Sequence, residues 1–263
     1  MTPGVPIISI NGISKTFGKK NEIVALDNLS FTVNKGEVFG LLGPNGSGKT
    51  TLIRILNCIF RPTVGTATVN GYSLREQEDV KRSTGLLAEN PRLYERLSPR
   101  EYLEFVGALY DVEKHTLSER VDRLMVMFGL GSRRDDLIEG FSKGMKQKVL
   151  IAAALIHDPP IVFLDEPTSA LDPRAAIVVK DLIKDLSSKA NKTVFVSSHI
   201  LPLMEEVCDR IAIINQGKLV ALGTVREIIA QAETANLEQA FIELTGGKDT
   251  TELLSWRDQV ATP

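Results

Sequence analysis

Cysteine is nearly absent. Cys58 and Cys208 are the only two in 263 residues, which excludes a disulfide framework and a thiolate metal cluster. Each stands among apolar residues on an expected helix, which predicts a buried, inert thiol. Long hydrophobic runs are missing too. The longest, Val149 to Ile156, is far too short to cross a bilayer. The start, Met1–Thr2–Pro3–Gly4, lacks the basic opening of a secretory signal. Together these predict a cytoplasmic chain. An excess of basic charge is also lacking. The net charge of −2 provides no field to draw in nucleic acid, so none is expected as a partner. Neither an internal repeat nor a low-complexity linker occurs.

What is present is ordinary globular composition. Hydrophobic residues make up 43% and charged residues 24%, enough for a substantial core in one large or two small domains. The most informative stretch runs Gly43, Pro44, Asn45, Gly46, Ser47, Gly48, Lys49, Thr50, Thr51. It fits Gly-x-x-x-x-Gly-Lys-Ser/Thr, with an apolar strand-like run, residues 38–42, before it. A helical pattern through Ile53, Leu56 and Ile59 follows. Glycines let the backbone curl so that successive N–H groups converge on phosphate oxygens. The positive end of the next helix assists. Lys49 adds a full charge toward the outer phosphates. The Thr50 hydroxyl offers an oxygen to Mg²⁺.

Residues 7–40 read as β structure, and Thr66–Gly71 as a further strand and turn. Residues 100–157 change to helix, with Leu117, Val121, Leu124, Met125 and Phe128 at helical spacing on a core face. The α/β pattern then returns. Residues 161–164 and 193–196 read as fully buried strands. Asp172 and Pro173 read as the N-cap and first residue of a helix. Residues 211–221 read as a hairpin. Beyond residue 235 comes one short helical pattern (Leu237, Phe241, Leu244) and a polar tail.

The run at 161–164 ends in Asp165 and Glu166. A buried strand that ends in two acids puts them in the crevice where open α/β sheets bind ligands. Asp165 can hold Mg²⁺, and Glu166 can orient or deprotonate an attacking water. The plain alternative is a strand end finished by solvated acids. Lys143, Lys146 and Lys148 gather at the start of a predicted helix, where cations are unfavourable. Either a bound anion relieves them, or they form a solvated basic face. His115 and His157 fit no pattern and read as ordinary residues.

Further motifs appear in a fixed order: Phe17, a polar turn at Glu89, Phe141–Gln147, Ser169–Asp172 and Ser197–Ser198–His199. With the phosphate loop and the acidic strand, this order resembles the ATP-binding cassette (ABC) ATPase family over residues 7 to about 225. The resemblance implies a P-loop NTPase of the α/β class. Its parts would be a parallel-sheet core, an N-terminal antiparallel β subdomain and an inserted α-helical subdomain at about 90–158. The cassette would span 1–230, with a short helical extension and tail at 231–263. It implies that Phe17 stacks on adenine, against the alternative of a core aromatic at a strand end. It implies that Ser142 and Gly144 cap the γ-phosphate bound to the opposite protomer. Asp172 would lie at that interface, and His199 would contact the γ-phosphate. Glu166, His199 and Lys49 would be the catalytic set, and Thr50, Asp165 and Glu89 the metal ligands. ATP and Mg²⁺ are the implied ligands.

Two departures carry information. Lys143 stands where the usual signature has glycine, and a positive φ there would be costly. Glu89 stands where the family's glutamine is usual, and resembles the variant in ATPase subunits of ABC-2 type exporters. The expected protein is thus an ATPase that pairs with itself or with a second ABC subunit. It would sit peripherally on the inner face of the cell membrane and drive a separate integral-membrane permease, an exporter. The surface around Leu93 and Tyr94 is the expected dock for it, against the alternative of a turn packed on its own helical subdomain. The alternatives are a non-transport ABC ATPase on a nucleic-acid or ribosome complex, and a sensor that binds ATP without turnover. Glu166 argues against the sensor.

Overall fold

The computed structural model describes residues 6–18, 22–89, 92–169 and 171–246; the polar tail lies outside them. Two sheets organise the chain. Strands β1 (Pro6–Phe17), β2 (Ile23–Asn34), β4 (Val64–Val69) and β5 (Tyr72–Ser73) form an antiparallel sheet of order β2-β1-β4-β5. The second sheet contains β3 (Val38–Leu42), β6 (Thr84–Leu87), β7 (Ile161–Asp165), β8 (Thr193–Ser198), β9 (Arg210–Asn215) and β10 (Lys218–Gly223). Its order is β10-β9-β3-β8-β7-β6. The five strands from β9 to β6 run parallel, and β10 joins β9 as an antiparallel hairpin.

The apolar runs explain the central strands. Every residue of β3, β7 and β8 is buried, as expected for a parallel sheet covered on both faces. Alternate residues enter different cores. Val38, Leu42, Val162, Leu164, Val194 and Val196 face the helical side. Phe39, Leu41, Phe163 and Phe195 face the antiparallel sheet, where Phe31, Phe39, Phe195 and Phe163 pack ring to ring at 5.3–5.4 Å.

Helix α1 (Lys49–Leu56) follows β3, and the short α2 (Gln77–Arg82) precedes β6. The helical block is α3 (Pro99–Leu109), α4 (Lys114–Met127) and α5 (Lys143–Leu155). Leu117, Val121, Leu124 and Met125 are the buried face of α4, as their spacing predicts. Helix α6 (Pro173–Ser188) starts at Asp172, whose carboxylate accepts from the N–H groups of Arg174 and Ala175 at 3.0 Å. Helices α7 (Leu201–Val207), α8 (Val225–Gln231) and α9 (Leu237–Thr245) complete the described chain.

The cysteines differ from expectation. Neither lies inside a helix. Cys58 follows the α1 cap with φ +57, and Cys208 is the cap residue of α7. Both are half-buried, and burial raises both thiol pKa values. Protonated thiols are poor nucleophiles, so they remain inert.

Candidate functional site

Strand β3 delivers the chain into a tight turn whose shape demands its glycines. A Cβ on Gly43 would lie 2.4 Å from the Ile214 carbonyl oxygen, and one on Gly48 2.5 Å from that of Ala25. Gly46 and Gly48 also have φ of +80 and +108, a region that L side chains avoid. Gly48 is the N-cap of α1 and gives no side-chain cap, and no acid occupies the first turn. The helix therefore presents bare N–H groups and positive potential to the turn, the setting for an anion. The buried Ser47 hydroxyl has no hydrogen-bond partner, an orphan that a polar ligand would satisfy.

A cavity of about 220 Å³ opens here. It is lined by Ala25, Asn45, Gly46, Gly48, Lys49, Thr50, Thr51, Glu89 and Glu166. Lys49 is 6% exposed. Its Nζ donates to the Gly43 carbonyl at 2.8 Å and stands 3.5 Å from Glu166 Oε1. Glu166 follows β7 in the left-handed region, at φ +50. That conformation costs a non-glycine residue on the order of 1–3 kcal/mol, and such strain clusters at working sites. The Glu166 N–H donates to the Ser197 carbonyl at 3.1 Å and to Ser197 Oγ at 3.3 Å. Its carboxylate accepts from Ser198 Oγ at 3.3 Å and meets His199 Nδ1 at 3.0 Å. Lys49 and Glu166 line the cavity, and His199 joins them through the Glu166 carboxylate.

Asp165 lies beside it, 2% exposed, and accepts from Ser197 Oγ at 2.5 Å. Burial raises its carboxyl pKa, aided by the nearby charges of Glu89 and Glu166 and opposed by hydroxyls of Ser197 and Thr50. Thr50 Oγ1 in turn reaches Glu89 Oε2 at 3.4 Å. A hydroxyl and two carboxylates converge with surplus negative charge. Hard oxygen donors in that condition suit a small divalent cation.

The remaining predicted residues stand elsewhere. Ser142 is the N-cap of α5, and its hydroxyl accepts from the Met145 N–H at 3.3 Å. Lys143 is therefore an ordinary first helical residue. It is absent from the positive-φ positions, so the signature turn needs no glycine there. Lys146 is paired with Glu95 at 2.6 Å, which relieves part of the lysine cluster without an anion. Gly144 packs 3.4 Å, measured from an added Cβ, against Ala175 and near Asp172. Neither Ser142 nor Gly144 lines the phosphate-loop cavity. Phe17 does not line it either. It is half-buried and belongs to neither core, contrary to the core-aromatic alternative. His115 is exposed. His157 stacks on Tyr110 at 3.7 Å, and burial lowers its pKa to about 4.

Residues 26–169 match the family model described as ABC transporter. The chain belongs to the ABC transporter ATPases. Relatives extend the match beyond those residues. The ABC transporter ATP-binding protein NatA of Bacillus subtilis is 35% identical over 90% of this chain and 97% of its own length. The methionine import ATP-binding protein MetN of Haemophilus influenzae is 36% identical over 91% and 71%. Solved structures agree. An ATP-binding subunit of an ABC transporter superposes with TM-score 0.83 at 31% identity over 91% of this chain and 99% of that one. A dimeric ATP-binding cassette in a post-hydrolysis state with ADP and Pi gives 0.76 at 26% identity, over 82% and 98%. This ABC subunit is accordingly an ATPase whose turnover is coupled to transport.

Ser197 and Ser198 carry no signal of their own in the sequence, although both stand directly before His199. Their placement depends on β8 lying parallel beside β7, with Asp165 in register with Ser197. Ala25, on β2, carried no signal at all.

Proposed function

We propose that two cassettes pair head to tail and enclose two ATP molecules. Each would lie between residues 43–51 of one chain and Ser142–Gly144 of the other. The group Lys49–Glu166–His199 beside the phosphate loop carries this reading. Backbone N–H groups of the loop and Lys49 bind the phosphates. Glu166 takes the proton of the attacking water, and His199 holds the γ-phosphate end. The leaving group is ADP, and the reaction relies on positioning and charge stabilisation. Mg²⁺, when bound through Thr50, Asp165 and Glu89, supplies charge neutralisation at the phosphates. The separation of Ser142 and Gly144 from the cavity of their own chain supports a site completed by a second copy.

The same reading makes the chain the motor of an ABC-2 type exporter, peripheral on the cytoplasmic face. No described helix is long and apolar enough to cross a membrane, so the pathway belongs to a separate permease. Export rests on Glu89 in the place of glutamine; MetN is named for import. Nothing favours the nucleic-acid or ribosome alternative.

A groove of about 510 Å³ between Glu89, Arg92, Leu93, Glu95 and the α5 start at Lys143 and Lys146 is the proposed dock. Tyr94, 61% exposed, rests edge-on against Phe105 at 5.6 Å and extends its apolar rim. Leu93→Asp with Tyr94→Asp abolishes co-purification with the permease, while ATP binding persists. Unchanged co-purification would reject the dock.

A further inference from the structure

Phe17 stands outside both cores and outside the phosphate-loop cavity, yet it is tied to Phe60, which packs against the core under the antiparallel sheet. Its ring meets Phe60 edge-to-face, with centroids 5.7 Å apart and planes at 74°. Lys15 Nζ lies over the Phe17 ring at 5.0 Å and is itself fixed by the Arg61 carbonyl at 2.8 Å. Arg54 places its guanidinium over Phe60 at 5.5 Å. The order Lys15–Phe17–Phe60–Arg54 is thus one continuous stack of cations and rings.

The chain path that makes this stack is specific. Helix α1 ends at Leu56 with Asn57 as its cap, and Cys58 turns into the left-handed region at φ +57. The N–H groups of Ile59 and Phe60 then both bond back to the Arg54 carbonyl, at 2.8 and 3.1 Å. That turn folds Phe60 over Arg54 of its own helix. The Thr63 N–H bonds to the Ser14 carbonyl, and the Thr16 N–H to Thr63 Oγ1 at 3.1 Å. These tie the loop after α1 to the end of β1, where Phe17 stands. Arg54 lies five residues beyond Lys49, about 7.5 Å along the helix. The stack therefore connects the phosphate-gripping helix to the far aromatic.

We propose that Phe60, Arg54 and Lys15 are positioning residues that hold the Phe17 ring for the nucleotide base, in register with α1. The inference rests on the reading of Phe17 as the base platform. Ring pairs and cation–ring contacts carry modest energies, but a platform held in one orientation loses less entropy on binding. Ile23, opposite Phe17 in the β1–β2 ladder, and Ile59 are exposed. They leave apolar surface beside the rings for a flat purine.

The test is calorimetric titration of the full chain with ATP and, separately, with inorganic tripolyphosphate. Phe60→Leu and Arg54→Gln weaken ATP about three- to ten-fold, and Lys15→Met about two- to five-fold. None of them changes tripolyphosphate affinity. Phe60→Tyr, which keeps the ring, restores ATP binding. Unchanged ATP affinity in Phe60→Leu and Arg54→Gln overturns the proposal. So does an equal loss for both ligands, which would indicate a merely structural effect on α1. Phe17→Ala separates this failure from that of the underlying reading. If it leaves ATP affinity intact, Phe17 is no base platform. If it lowers affinity while the three supporting variants do not, only the positioning role falls.

Discussion

Glu166→Gln lowers ATP turnover by about two to four orders of magnitude, the range that a positioned general base contributes. Glutamine keeps the size of the side chain and its bond from Ser198 Oγ, now found at 3.3 Å. It loses the negative charge and the capacity to take a proton. Lys49 stays fixed through the Gly43 and Pro44 carbonyls at 2.8 and 3.3 Å, so the loop keeps its shape. ATP affinity holds or rises, because the lysine no longer divides its charge between a phosphate and a carboxylate 3.5 Å away. Phosphate release and nucleotide binding, measured on one preparation, check both halves. A fall in turnover of less than ten-fold would remove Glu166 from the water-activating role.

Lys49→Met acts on the other half of the reaction. Truncating one partner of a desolvated charge pair commonly costs 2–5 kcal/mol, so ATP and ADP affinity fall about 30-fold or more. Methionine preserves the aliphatic stem, and the loop glycines are untouched. The variant also takes one partner from Glu166, 5% exposed, and leaves it with Ser198 Oγ and His199. Removing one partner of a buried charge pair is destabilising, so the unfolding temperature without nucleotide falls as well. Arginine is no substitute, since its planar fork cannot occupy a site built for a compact ammonium. Titrating ATP into the wild type and Lys49→Met, in Mg²⁺ and again in EDTA, gives the loss. The same titrations on Asp165→Asn test the cation, whose contribution should vanish there. Affinity within three-fold of wild type in Lys49→Met would contradict the assignment.

Much of this site was legible because its chemistry is local. The turn from Gly43 to Thr50 declares itself by spacing, and the acids declare themselves by ending an apolar run. Asp172 and Pro173 read correctly as a helix start, since capping involves only the next few residues. What escaped depends on distant partners. Ser197 reaches Asp165 only because β7 and β8 run parallel in one register. Lys146 reads as an unrelieved cation until Glu95, 51 positions earlier, is found beside it. The cost expected of Lys143 vanished because Ser142 caps the helix and leaves Lys143 with helical geometry. Cys58 misled for a related reason: a left-handed residue after a helix is usually glycine, so the sequence suggested that the helix continued. The Phe17–Phe60 contact depends on that turn and has no signature of its own.

The central claim is that one chain's phosphate loop and the other chain's Ser142 region enclose the same nucleotide. Cross-linking across the pair tests it most directly. Both chains carry Glu166→Gln and have the two native cysteines replaced. One carries Asn45→Cys and the other Ser142→Cys, and they are mixed with a short bismaleimide. The account predicts a covalent mixed dimer with ATP and Mg²⁺, and none without nucleotide. A nucleotide-loaded mixture that stays monomeric, or that links equally well without ATP, would contradict it.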